Sequence, residues 1–206
     1  MSPDEQPHYF SSEEGDLSQI ASAPRDAHWD AFGRSFTAKT DRGVFSYDHL
    51  DRGTAVLFSL VDPPQTEGTF LDLGCGWGPI ALCLASLSPG AHVWAVDVNP
   101  RARGLVIRNR DIARASNIHV SSPEDVPAET RFDLIWSNPP IRIGKAALHK
   151  LLLRWLSRLT PNGAAWLVVQ KNLGSDSLAD WLETEGYLVQ RIGSKKGFRV
   201  LVVKHA

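Results

Sequence analysis

Three groups of residues have the types and spacing to do chemistry. Asp72 opens D-L-G-C-G-W-G, with glycines at 74, 76 and 78; Asp97 closes the apolar run AHVWAVDV; Asn138, Pro139, Pro140 and Ile141 follow the apolar run FDLIWS. The glycines let a ligand approach the backbone where a strand turns into a helix. The dinucleotide fingerprint G-x-G-x-x-G would need glycine at position 79, and Pro79 stands there. A carboxylate at Asp72 would repel a pyrophosphate, but it suits a ligand with positive charge. S-adenosylmethionine carries an ammonium and a sulfonium and no phosphate.

Asp97 lies 25 residues after Asp72. An acid at the end of the next strand can accept hydrogen bonds from both hydroxyls of a ribose. Either acid alone reads as well as a helix cap or a surface charge; two at adjacent strand ends, with glycines between, point to a ligand. Cys75 is a small residue that fits the turn, and Trp77 is expected to pack on a neighbouring hairpin.

Asn138-Pro139-Pro140 is a stiff turn that offers acceptors, because prolines restrict the backbone and remove donors. The Asn138 side-chain oxygen and the Pro139 carbonyl can hold the two hydrogens of one exocyclic amino group. Held so, the nitrogen localises its lone pair and can attack a methyl group in line. Rate would come from positioning and electrostatics, with no strong base.

These residues need strand ends to hold them. SFTAKTDRGVFS reads as a hairpin around D-R-G, and DHLDRGTAVLFSLV as a helix. From Thr69 the pattern alternates: strands TFLDL, AHVWAVDV, NIHV, FDLIWS and GAAWLVVQ, and helices PIALCLASL, RARGLVIRNRDIARA, KAALHKLLLRWLSRL and SLADWLETE. YLVQRI and FRVLVVK form a last, antiparallel pair. The fold class is therefore α/β: a Rossmann-like, seven-stranded, mostly parallel sheet with an antiparallel terminal strand, helices on both faces and an N-terminal hairpin extension.

The chain has 206 residues, enough for one domain with a small extension. No apolar stretch is long enough for a transmembrane helix, and MSPDEQPHYF lacks a signal peptide's pattern. Two cysteines, Cys75 and Cys83, have no second pair to complete a zinc site, so no metal is expected, and free thiols suit the cytoplasm. Residues 1–30 hold seven acids and one base, against 16 acids and 21 bases in the rest, so a net charge of −1 conceals segments of −6 and +5. Residues 1–34 read as an acidic arm and 35–206 as the catalytic domain. From Ser137 to Ser175 there are six bases and no acid. A basic surface beside Asn138 follows, with Arg142 and Lys145 nearest to it.

Taken in order, GVFSYDHLDRGT, LDLGCGWGPIAL, AVDVNPRA, FDLIWSNPPIRIGK, LVVQK and KKGFRVL resemble the class I S-adenosylmethionine-dependent methyltransferases. More narrowly, they are similar to the methyltransferase small domain family, which includes bacterial 16S rRNA guanine-N2 methyltransferases. The resemblance covers residues 35 to 204, and HYFS near residue 8 looks like the start of single-domain members. It implies S-adenosylmethionine as cofactor. Asp72, Gly74, Cys75 and Gly76 would line its methionine side, Asp97 its ribose and Val98 its adenine. Gly53 and Thr54 would help to close the site, and Ser122 stands where the family often has an acid that meets the adenine amino group; Asp125 is an alternative. Asn138 would also lie against the cofactor. Asn138 and Pro139 would be the catalytic acceptors, with Pro140 and Ile141 shaping the base pocket.

The implied substrate is ribosomal RNA or a ribosomal subunit, taken by a monomer through Arg142 and Lys145. The alternatives are methylation of a protein glutamine or of adenine N6 in DNA, or a noncatalytic module that binds S-adenosylmethionine or RNA. Ile141 argues against the first two, because it cannot stack on a target as an aromatic ring would.

Overall fold

The computed structural model describes residues 21–206. HYFS and most of the acidic arm lie outside the described residues. Strands β1 (Arg25–Ala31) and β2 (Arg34–Thr40) form an antiparallel hairpin. Helix α1 (Arg52–Leu60) leads to β3 (Glu67–Leu73), α2 (Pro79–Leu87), β4 (Gly90–Val96), α3 (Pro100–Ala113), β5 (Ile118–Ser121) and β6 (Phe132–Ser137). Then follow α4 (Lys145–Leu156), β7 (Leu159–Gln170), α5 (Ser175–Thr184), β8 (Tyr187–Lys195) and β9 (Phe198–His205).

Seven strands form one sheet in the order β5-β4-β3-β6-β7-β9-β8. Pairs from β5 through β7 are parallel, and β9 is antiparallel to both β7 and β8. The terminal pair is antiparallel as expected, but β9 inserts between β7 and β8 and leaves β8 at the edge. The chain leaves β3 towards β4 and leaves β6 towards β7, so the strand order reverses between β3 and β6. Ligands of open α/β sheets sit outside the carboxyl ends at such a reversal. The glycine turn follows β3 and Asn138 follows β6, so the topology alone brings them to one crevice.

Apolar residues cover both faces of the sheet, which is why its strands read as near-continuous hydrophobic runs. On one face Phe70, Val93, Ala95, Trp136, Val168 and Val200 pack with α1, α2, α3 and the hairpin. On the other Leu71, Val96, Ile135, Leu167 and Leu201 pack with α4 and α5.

The hairpin differs from the sequence expectation. Its turn is Phe32-Gly33, both at positive φ, and D-R-G (41–43) follows β2 instead of joining two strands. The expected boundary at residue 34 therefore falls inside the hairpin. Phe32 adopts the left-handed conformation, which is costly for a bulky residue. The compensation is tertiary: its ring stacks on Trp136 at 6.0 Å and meets Phe58 edge-on at 5.9 Å.

Across the hairpin, Trp29 stacks on Phe36 and meets Trp77 of the glycine turn at 5.3 Å. Asn109 of α3, 1% exposed, completes the attachment. Its Oδ1 accepts from the Lys39 N–H at 2.7 Å, and its Nδ2 donates to the Lys39 and Trp77 carbonyls at 2.7 and 2.9 Å. Removing a buried partner leaves the other polar groups without water or protein to satisfy them. Asn109→Ala should lose about 3 kcal/mol of stability, read as a lower midpoint in urea denaturation.

Candidate active site

The glycines of the turn have distinct jobs. Gly74, Gly76 and Gly78 all have positive φ. A Cβ on Gly78 would meet Val106 of α3 at 3.2 Å, so that glycine permits helix packing. A Cβ on Gly74 or Gly76 would meet no protein atom within 4 Å, and both glycines line an open cleft. Side chains there would occupy ligand space. The cleft encloses about 660 Å³, including space open to solvent. Its wall also includes Cys75, Trp77, Asp97, Thr54, Asn138 and Pro140. Burial pushes the Cys75 thiol well up, so it is an inert wall.

Asp97 sits directly after β4 and is almost fully buried. Its Oδ2 accepts from the Gly76 N–H at 2.9 Å and its Oδ1 from the Asn99 N–H at 2.8 Å. Each oxygen keeps a further lone pair for a ligand. Burial raises its pKa, and the backbone donors and Arg103 oppose that rise.

Asp72 is fully buried within β3 and is absent from the cleft wall. Its Oδ2 accepts from the Ala81 N–H at 2.9 Å, capping the first turn of α2, where Gly78 supplies no side-chain cap. Its Oδ1 is buried and has no hydrogen-bond partner among the described residues. Burial raises its pKa well above the usual carboxylate value, and the charge of Asp97 adds to the rise.

Asn138 is held by a residue whose role the sequence did not reveal. Asp51 caps α1 by accepting from the Gly53 and Thr54 N–H groups at 2.8 and 3.2 Å. The same Oδ1 accepts from Asn138 Nδ2 at 2.5 Å, and Thr54 Oγ1 lies 3.4 Å from that nitrogen. An ionised carboxylate only accepts, so Asn138 must present its NH₂ to Asp51. Its Oδ1 is left without a protein donor among the described residues, and Asn138 is part of the cleft wall. A Cβ on Gly53 would crowd Asp51 Oδ1 at 2.9 Å, Phe198 Cε1 at 3.0 Å and Asn138 Nδ2 at 3.1 Å. Gly53 thus makes room for this junction and does not itself line the cleft.

The rest of the proline motif departs from expectation. The Pro139 carbonyl already accepts from the Ile141 N–H at 2.8 Å, so it retains one free lone pair. Pro140 lines the cleft, but Pro139 and Ile141 do not. A short 3-10 turn over Ile141–Ile143 carries Ile141 to the opposite face of the sheet. There it lines a separate hollow with Lys145, Leu148 and His149. Ile141 consequently does not line the cleft.

Among the other expected residues, Thr54 lines the cleft, whereas Val98 and Ser122 do not. Val98 directly follows Asp97 and is 57% exposed. Ser122 Oγ donates to Asp125 Oδ2 at 2.7 Å, joining the two residues proposed for one position. Arg142 and Lys145 are exposed beyond Asn138.

A lip of Val44, Phe45 and Ser46 closes one side. It is pinned by Trp77 Nε1 donating to the Ser46 carbonyl at 3.1 Å and by Asn99 Nδ2 donating to the Gly43 carbonyl at 3.0 Å. Phe45 is half exposed and is an aromatic face on the cleft wall. Trp77 packs on the hairpin, as its sequence position suggested.

The model of one protein family, described as methyltransferase small domain, matches residues 35–202. The chain belongs to that family. The uncharacterised protein YbxB of Bacillus subtilis is 34% identical over 174 residues, covering 83% of this chain and 87% of its own length. Ribosomal RNA small subunit methyltransferase C of Klebsiella pneumoniae is 31% identical over 203 residues, covering 93% of this chain and 57% of that protein. The chain therefore spans little more than half the length of that relative. The fold matches that of the Thermus thermophilus 16S rRNA N2 G1207 methyltransferase, solved with AdoMet and guanosine, with TM-score 0.77 and 23% identity. The match covers 91% of this chain and 52% of that one.

Family and fold agree with the S-adenosylmethionine expected from the sequence. The residues fit such a group. Gly74 and Gly76 leave a cradle that a Cβ would invade, and the buried carboxylate of Asp97 on the same wall suits a hydroxyl-bearing or cationic ligand better than a phosphate.

Asp72 also provides a pH test. Its folded pKa lies above the ordinary 3.8, so its contribution to stability is complete below that value and is lost as pH rises through the folded pKa. Asn at this position can still accept from Ala81 without a buried charge. Ligand-free Asp72→Asn should therefore lose less stability than the wild type as pH rises through that window. Thermal melts of both proteins over a pH series measure the difference.

Proposed function

We propose that the chain is an S-adenosylmethionine-dependent N-methyltransferase that modifies an exocyclic amino group in ribosomal RNA, with guanine N2 as the target. The observation that carries this reading is the Asn138 amide on the cleft wall, whose nitrogen is locked by Asp51 and whose oxygen has no protein donor among the described residues. The small-subunit rRNA methyltransferases among the relatives support RNA as substrate. No helix among the described residues is long and apolar enough to cross a membrane.

When bound, S-adenosylmethionine supplies an electrophilic methyl group. Asp97 holds its ribose, the Gly74–Gly76 turn admits its methionine portion, and Asp72 stabilises the adjacent positive charge. Asn138 Oδ1 accepts one amino hydrogen of the target. The amino nitrogen is thereby oriented and its lone pair localised. Pro140, on the cleft wall, would shape the base pocket. The new nitrogen–carbon bond replaces the methyl–sulfur bond, and the amino proton passes to solvent water during or after transfer, so no side chain needs to act as a strong base.

The deciding experiment incubates the protein with labelled S-adenosylmethionine and separate RNA, DNA and protein fractions from a deletion strain. Label in small-subunit rRNA at guanine N2 is expected. Label confined to DNA adenine or protein glutamine would replace the substrate, and absence of cofactor binding near millimolar concentration would remove the enzyme. Asn138→Ala should keep cofactor affinity and lower kcat about 100-fold or more, the usual cost of a preorganised polar group. Asp51→Asn preserves a good helix cap but permits the Asn138 amide to turn, so kcat should fall about tenfold with the melting temperature held. Asp97→Ala should weaken cofactor binding about 100-fold by calorimetry, the loss of two charge-assisted hydrogen bonds.

A further inference from the structure

The structure sorts the basic residues into occupied and available groups. Arg154 donates to the Pro123 carbonyl and pairs with Glu124. Arg158 donates to the Thr130 and Pro127 carbonyls and lies over the Trp155 ring. Arg191 is surrounded by Asp176, Asp180 and Glu183 of α5, and Arg199 also pairs with Asp176. These interactions engage arginines in the fold and neutralise the acids of α5.

Arg142, Lys145, Lys171, Lys195 and Lys196 are different. All five are exposed, and their side chains have no ion pair or hydrogen bond among the described residues. Topology collects them. Strands β6, β7 and β8 point the same way, so their carboxyl ends share one side of the sheet. Arg142 and Lys145 follow β6, Lys171 follows β7, and Lys195 ends β8 before the Lys196-Gly197 turn. The Lys171 N–H donates to the Gly197 carbonyl at 2.8 Å, tying two parts of this group together. With strands about 4.8 Å apart, three steps from β6 to β8 span about 14 Å. Phe198, opposite both Gln170 and Lys195, approaches the Gly53 junction beside Asn138.

We propose that this ridge carries the phosphate backbone of single-stranded RNA flanking the target nucleotide, from the NPP loop to the β8–β9 turn. The inference rests on the RNA methyltransferase reading and adds Lys171, Lys195 and Lys196 to it. Compact lysine charges suit phosphates without reading sequence. A flexible single strand can follow the ridge and present an unstacked base to the cleft, which a paired base cannot do without flipping.

The test measures binding of a mixed-sequence single-stranded RNA across a salt series. It compares the wild type with Lys171→Gln/Lys195→Gln/Lys196→Gln and with Lys150→Gln/Lys204→Gln, which lies off the ridge. Loss of three phosphate contacts should lower affinity about 100-fold near 0.1 M salt and reduce the slope of log K against log salt by about 2. S-adenosylmethionine affinity and melting temperature should match the wild type, and the off-ridge variant should bind RNA normally. An unchanged salt slope in the triple variant, with RNA bound by the wild type, overturns the ridge and leaves the methyltransferase reading intact. Failure of the wild type to bind RNA, with S-adenosylmethionine bound, overturns both. Polyglutamate binding as tightly as RNA of equal charge would assign the ridge to acidic proteins and overturn the RNA track.

Discussion

The Asp51 carboxylate joins the amino end of α1 to an amide 87 residues away in the chain. That link organises the candidate active site. Without it Asn138 could present either its oxygen or its nitrogen to the cleft. With it, the acceptor face is selected before any ligand arrives. The selection needs two further conditions. Gly53 must lack a side chain, because three groups converge within about 3 Å of where its Cβ would stand. The strand order must also place β6 beside β3, so that the NPP loop faces the glycine turn. A local cap, a missing methyl group and a topological reversal thus combine in one hydrogen bond.

The cofactor side is governed by desolvation. Asp72 and Asp97 are both removed from water, and both have raised pKa values with burial as the leading cause. Asp97 is partly compensated by two backbone donors. Asp72 has one, and its other oxygen is unpaired among the described residues. Such a pair is costly in the empty protein and becomes favourable beside a cation. The paired oxygen of Asp72 caps the first turn of α2.

Aromatic packing does the remaining positioning. Trp77 belongs to the glycine turn, yet it meets Trp29 of the hairpin and donates to the lip carrying Phe45. The lip, the hairpin and the turn are consequently one packed unit. Charge is distributed by a similar economy of position. Arginines that interact with carbonyls, rings or the acids of α5 are absorbed into the fold, while the lysines at the strand ends remain available to solvent.

The sheet and its helices were legible because alternating buried strands and amphipathic helices leave a strong hydrophobic pattern. PIALCLASL coincides with α2, and FDLIWS with β6. The glycines, Asp97 and Asn138 were legible because special backbone conformations and strand-end polar groups restrict residue choice locally. The hairpin turn was not: Phe-Gly is a weak turn signal, and Phe32 accepts positive φ only because Trp136 and Phe58 receive its ring. Ile141 was misplaced for a related reason, since three residues of 3-10 turn decide which face of the sheet it joins. Local sequence determined that this chain is an α/β protein with a ligand turn and a rigid acceptor motif. Tertiary structure alone decided which atom of Asn138 is held by Asp51 and which bases stay unpaired among the described residues. Those outcomes depend on partners distant in the chain, and no local spacing encodes their approach.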